Sequence, residues 1–231
     1  MSRHIALQRL LVFALLAFLG SIAIAKPPPP SLWRAEIDQL TADDAAHPPP
    51  QHGVLFIGSS SIRMWTTLAQ DFPGVPAIRR GFGGSAIADS TFYADRIVVA
   101  YQPKLIVMYA GDNDVAGGNP ARQVIDDFKT FVARVRRDLP HVAIAFVSIK
   151  PSVARWSMWP QMDAANRGIA RWARTQKGVI YVDVATKMLD AHGKPRPKLL
   201  REDGLHMRPS GYAIWIDALK PVLAKYGFLT R

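Results

Sequence analysis

The sequence predicts an α/β fold: a three-layer α/β/α sandwich around a five-stranded parallel sheet. Three observations carry this. Short apolar runs recur at residues 54–57, 77–78, 105–108, 142–147 and 179–182 with little polar alternation, as strands buried on both faces require. Helical patterns lie between and after these runs, and strand–helix alternation is the mark of a parallel sheet covered on both sides. The 231 residues are 49% hydrophobic and 20% charged, which supports one full core and excludes wholesale disorder.

The elements follow in chain order. Arg3, His4 and Arg9 form a basic start, residues 10–25 are almost unbroken apolar sequence, and Ala23-Ile24-Ala25 is a small-x-small cleavage pattern. Residues 1–25 are therefore expected to be a secretory signal peptide. The apolar run falls short of the about 20 residues an anchor helix needs. Cleavage removes Arg3 and Arg9 and no acid, lowering the formal net charge from +11 to +9. No second stretch is long enough to span a bilayer, so an exported protein, periplasmic or secreted, is expected, with at most weak association with an anionic envelope.

Residues 26–50 read as a proline-bounded arm. Residues 27–30 are four prolines and suit a polyproline segment. Ser31 is a candidate N-cap, and Trp33, Ile37 and Leu40 at helical spacing predict one amphipathic helix over 31–46, stopped by Pro48-Pro49-Pro50. The remaining domain, 51–231, holds all five strands. Between the third and fourth, Val124, Phe128, Phe131 and Val135 predict a helix over 121–139. Residues 161–176 and 210–225 are also helical, the last with Tyr212, Trp215, Ile216 and Leu219 on one side. Trp65, in the helix after the first strand, is expected in the core.

Ligands of such sheets bind beyond the carboxyl ends of the strands. Gly58-Ser59-Ser60-Ser61 follows the first strand, Gly81-Phe82-Gly83-Gly84-Ser85 the second, and Gly111-Asp112-Asn113-Asp114 the third. Asp203-Gly204-Leu205-His206 precedes the last helix. Each alone is explained by turn chemistry; together they supply the parts of acyl transfer. A serine hydroxyl needs a base, which His206 can be. Asp203, three residues before it, can hold the imidazole in one tautomer. A backbone N–H at a helix start, a glycine N–H and an asparagine amide can converge on an oxyanion.

These four blocks, in this order, resemble the SGNH (GDSL-type) hydrolase family from about Val54 to about Tyr212. The resemblance implies a flavodoxin-like sheet, a Ser–His–Asp triad and no metal. It makes Ser60 the nucleophile, because Gly58-Ser59-Ser60 stands where the family has Gly-Asp-Ser. Asp203 and His206 match the Asp-x-x-His block, and Ser60, Gly84 and Asn113 become the oxyanion donors. Ser59 departs from the family's aspartate, which leaves Ser61 as the rival nucleophile; Gly83 is the rival to Gly84.

The remaining signals mostly exclude. The absence of cysteine rules out disulfides, Cys-ligated zinc, Fe–S clusters, a cysteine nucleophile and a lipidated N-terminal cysteine. His47, His52, His141 and His192 have no metal-ligand spacing, so neither metal nor cofactor is expected. Lys and Arg number 29 against 18 acids, but they are dispersed with no nucleic-acid module, which predicts a basic surface and no nucleic-acid partner. Asp112 and Asp114 are read as turn-formers, Asp114 with the option of orienting a donor. Trp156 and Trp159, after the fourth strand, are candidate substrate-binding residues or, equally, packing residues. The expected function is an exported serine esterase on short acyl or acetyl esters, of the carbohydrate O-acetyl or lysophospholipid type. The alternative is a non-catalytic protein on the same scaffold that binds an anionic envelope glycan or lipid.

Overall fold

The structure is a computed structural model, and it describes residues 30–229. The expected signal peptide and most of the polyproline segment lie outside the described residues. Among those residues no helix is long and apolar enough to cross a membrane.

Five strands form one parallel sheet: β1 (Val54–Gly58), β2 (Ala77–Gly81), β3 (Leu105–Tyr109), β4 (Ala143–Val147) and β5 (Val179–Val182), in the order β2-β1-β3-β4-β5. The side chains of the strands alternate between two cores. Leu55, Ile57, Ile106, Met108, Ile144 and Phe146 face one layer of helices: α1 (Arg34–Ala46), α4 (Ile87–Phe92), α5 (Ala94–Ile97), α7 (Ala121–Asp138) and α8 (Trp159–Ala173). Phe56, Val107, Tyr109, Ala145 and Val147 face the other, with α2 (Ser60–Arg63), α3 (Leu68–Asp71), α9 (Ala185–Met188) and α10 (Pro209–Lys225). Both sheet faces are dry, which is why the strands read as apolar runs rather than alternating ones. The strand order reverses between β1 and β3, and a crevice opens there at the carboxyl ends. α6 (Asp112–Ala116) starts at that crevice, directly after β3.

Two elements differ from the sequence reading. The single helix expected over 31–46 is a 3-10 turn, Pro30–Trp33, followed by α1. Trp33 is drawn into the core against Phe82, ring centroids 6.1 Å apart, and its backbone leaves α-helical geometry to get there. β2 extends three residues past its apolar pair, through Arg79 and Arg80. Arg80 is buried because Asp44, from α1, supplies its counter-charge and Tyr101 accepts from its Nε at 3.1 Å. A buried cation is tolerated only when paired in this way. Trp65 lies past the end of α2, not inside a helix as expected, but it is fully buried, as expected, against Tyr212, Trp215, Phe56 and Phe72.

Candidate active site

β1 ends at Gly58, whose φ of +137° turns the chain out of the sheet; a Cβ there would lie 1.8 Å from the Tyr109 carbonyl oxygen. Only glycine fits that close approach. Ser59, extended and fully buried, then leads into the one-turn helix α2, so Ser60 stands at its first position with a backbone N–H that has no intrahelical acceptor. The turn separates the three serines. The Ser59 and Ser61 hydroxyls are buried and make no hydrogen bond, whereas Ser60 Oγ lies 3.0 Å from His206 Nε2.

The histidine is held by its own loop. His206 Nδ1 is 2.6 Å from Asp203 Oδ2, and Asp203 Oδ1 accepts the backbone N–H groups of Leu205 and His206, each at 2.9 Å. The His206 contact, then the Leu205 N–H, hold the Asp203 carboxyl well below the usual carboxylate range. An ionised carboxylate only accepts, so Nδ1 carries the hydrogen and Nε2 turns its lone pair to Ser60. Ala154 N–H donates to the Gly204 carbonyl at 3.0 Å, docking the loop after β4 on the loop of the histidine.

The glycine and asparagine blocks meet across the crevice. The Asn113 amide donates to the Ser85 carbonyl at 3.0 Å, which leaves a second N–H on the same nitrogen. Gly84 has φ +76° and open space where a Cβ would stand. Gly83 is instead committed to structure: its carbonyl accepts from Trp33 Nε1 at 2.7 Å, and a Cβ on it would press on the Arg63 guanidinium at 3.0 Å. The two glycines are thus distinguishable in space although not in sequence. Trp33→Phe keeps an aromatic ring, though a smaller one, and deletes the donor to Gly83. It is expected to lower kcat about 3- to 10-fold with KM nearly unchanged, the size of one lost hydrogen bond; an unchanged kcat with acyl-ester substrate would refute a positioning role.

Asp112 is more than a turn-former. Its side chain is buried, Oδ1 accepts the Asn113 N–H at 3.1 Å, and Oδ2 faces Arg155 Nη1 at 3.3 Å and Lys150 Nζ at 3.5 Å. Burial pushes the Lys150 ammonium below the ordinary lysine range, and the Asp112 charge opposes that shift. Lys150 went unnoticed in the sequence because a lone lysine after a strand looks like a loop residue. The counter-charge that keeps it inside comes from 38 positions earlier.

Asp114 does orient a backbone donor: its Oδ1 accepts the Ile87 N–H at 3.0 Å, tying α6 to the start of α4. Burial pushes its carboxyl up to about 7, against the Ile87 bond. The folded state therefore holds this proton more tightly than the unfolded chain does. The stabilisation is complete below about pH 4 and is lost as pH rises through about 7, a difference of about 4 kcal/mol. Asp114→Asn keeps the acceptor for Ile87 and cannot ionise. The stability difference between variant and wild type, from denaturant midpoints at pH 4.5 and 7.5, should move in the variant's favour by a few kcal/mol as pH rises. A constant difference across that range refutes the assignment.

The Trp156 and Trp159 rings stack with centroids 5.8 Å apart and planes 14° apart. Trp159 packs on the core, and Lys194 Nζ sits 5.1 Å from the Trp156 ring, so packing accounts for much of the pair. Among the described residues, no three His, Asp or Glu side chains cluster as a metal site would need.

The model of the GDSL-like lipase/acylhydrolase family matches residues 52–214. No curated protein is significantly similar in sequence. Among solved structures, a GDSL-like lipase from Bacteroides thetaiotaomicron superposes with a TM-score of 0.68 at 21% identity, covering 83% of this chain and 98% of that one. A carbohydrate esterase family 3 protein from Talaromyces cellulolyticus gives 0.61 at 20% identity, covering 74% and 96%. An acetyl-xylooligosaccharide esterase from Geobacillus gives 0.60 at 16% identity, covering 79% and 97%. These likenesses are of fold. The family match spans most of the chain and every block from Gly58 to His206, and on it the chain belongs to the GDSL-like lipase/acylhydrolase family, as a carboxylic ester hydrolase.

Proposed function

We propose that this ester hydrolase works through Ser60, His206 and Asp203, and that its substrates are short acyl esters, acetyl esters of carbohydrates among them. The continuous chain Ser60 Oγ, His206 Nε2, His206 Nδ1, Asp203 Oδ2, with steps of 3.0 and 2.6 Å, carries the reading. Ser60 Oγ attacks the carbonyl carbon as its proton passes to Nε2. Asp203 stabilises the imidazolium without taking its proton. The Ser60 N–H, the Gly84 N–H and the free N–H of Asn113 receive the oxyanion. Collapse expels the alkoxide, which takes the proton from His206, and water then releases the acyl group by the same steps in reverse order of roles.

One observation supports a small acyl group: carbohydrate esterases are among the proteins with this fold. Rates across p-nitrophenyl acetate, butyrate and decanoate test it: a steep preference for acetate is expected, and a preference for decanoate overturns it. Export is supported by the apolar run and cleavage pattern of residues 1–25. Terminal sequencing of the mature protein should begin at Lys26. Fluorophosphonate labelling with peptide mapping should modify Ser60; an unlabelled protein would favour the binding-scaffold alternative.

A further inference from the structure

We infer that the groove beside the Asp203–His206 loop is a binding site for an anionic substrate chain, so that the natural ester is carried on an acidic, carboxylate-bearing glycan. This rests on the esterase reading above and deepens it. Residues 194–208 carry Lys194, Arg196, Lys198, Arg201 and Arg208 against Glu202 and Asp203, and Asp203 is already engaged by His206. Lys198, Arg201 and Arg208 line a hollow of about 610 Å³ whose walls include Val153 and Gly204, with Glu202 its one carboxylate.

The hollow is next to the chemistry. Arg201 N–H donates to the His206 carbonyl at 2.7 Å, and its Nε donates to the Met207 carbonyl at 3.2 Å. The Arg208 Nε donates to the Leu200 carbonyl at 2.7 Å. Both arginines are therefore fixed at the stem and exposed beyond it.

The charge here is only partly compensated, with Glu202 in the hollow and Asp190 in the field of Lys194. Elsewhere cations meet carboxylates: Arg96 with Asp38, Lys129 with Asp126, Arg134 with Asp95 and Asp138, Lys220 with Asp217. Among the described residues none of the five cations of 194–208 is in an ion pair; their contacts are backbone carbonyls and the Trp156 ring. Unpaired arginines with fixed stems suit fork-like recognition of carboxylates. The three cations of the hollow suit a substrate with charge repeated along it, because a polymer engages several at once.

The test compares acetylated polygalacturonate with acetylated xylan, a neutral chain. The ratio of kcat/KM, acidic over neutral, should be about tenfold or more at low salt and approach one at 0.5 M salt. Arg201→Glu/Arg208→Glu should lower that ratio about tenfold through KM. Those arginines also hold the loop, so Lys198→Glu, with no such bond, is the second variant and should lower the ratio about threefold. Lys177→Glu, at the opposite end of the sheet, carries the same net-charge change and should leave the ratio as it is. A salt-independent ratio near one, or an equal loss in Lys177→Glu, overturns the inference. Binding of de-esterified polygalacturonate to Ser60→Ala protein, followed by calorimetry, separates the two claims. Binding that Lys198→Glu weakens, together with a wild-type protein that hydrolyses no ester, upholds the groove and refutes the esterase reading. Hydrolysis of p-nitrophenyl acetate without such binding does the reverse.

Discussion

Ser60→Ala is expected to abolish turnover of p-nitrophenyl acetate, with kcat falling by on the order of 10⁶-fold and the fold intact. The hydroxyl is the atom that would form the acyl bond, and no neighbour can replace it. Ser59 and Ser61 flank it in sequence, but their hydroxyls are buried and make no hydrogen bond with His206 or any other group. Ser61→Ala therefore makes the matched control. It removes a buried hydroxyl with no hydrogen bond, so stability should hold or rise slightly, and activity should stay within a few-fold of wild type. The pair is decisive in either direction: activity surviving in Ser60→Ala and vanishing in Ser61→Ala would move the nucleophile one residue along. KM should change little in Ser60→Ala wherever residual activity is measurable, because ground-state binding does not need the Oγ–carbon bond.

Asp112→Asn is expected to cost about 3–5 kcal/mol of stability, the usual result of removing one partner from a buried ion pair. The carboxylate faces Lys150, 1% exposed in its side chain, and Arg155 at 19%. Without its charge, two cations confront each other in a medium that screens them poorly. For a domain of this size that corresponds to a fall in Tm of roughly 10 °C. Chemical denaturation reads the loss, and a loss under about 1 kcal/mol would show that the cluster is solvated. Lys150→Met in the Asp112→Asn background should recover part of the stability, since it deletes the stranded charge. Activity per folded molecule should fall further in Asp112→Ala than in Asp112→Asn, whose Oδ1 can still accept a backbone N–H. Asp112 Oδ1 holds the Asn113 backbone N–H, and Asn113 is the proposed side-chain oxyanion donor.

The apolar runs located all five strands because burial on both faces forbids polar alternation, and β5 matches its run end to end. β2 was only partly legible. Arg79 and Arg80 look like surface residues in the sequence, and Arg80 is inside because Asp44 reaches it from α1. The helical periodicities survived as α7, α8 and α10, each end within three residues of its expected place. At the N-terminal arm, spacing alone predicted one helix, yet the burial of Trp33 beside Phe82 decided a 3-10 turn. The candidate site was legible to the extent that its chemistry sits in short blocks after strands.

What the sequence determined by itself is therefore the fold class, the chemical inventory and the pairing of Asp203 with His206, which lie on one short loop. These are local properties: strand burial, turn chemistry and a three-residue spacing survive in a one-dimensional reading. Only the tertiary structure decided which of three serines meets the histidine, which of two glycines is free, and why Lys150 can be buried. Each of those depends on a contact between distant segments: Ser60 with His206 across 146 positions, Gly83 with Trp33 across 50, and Lys150 with Asp112 across 38. Adjacent identical residues differ only in the direction they point, and direction is set by how the closed core packs around them.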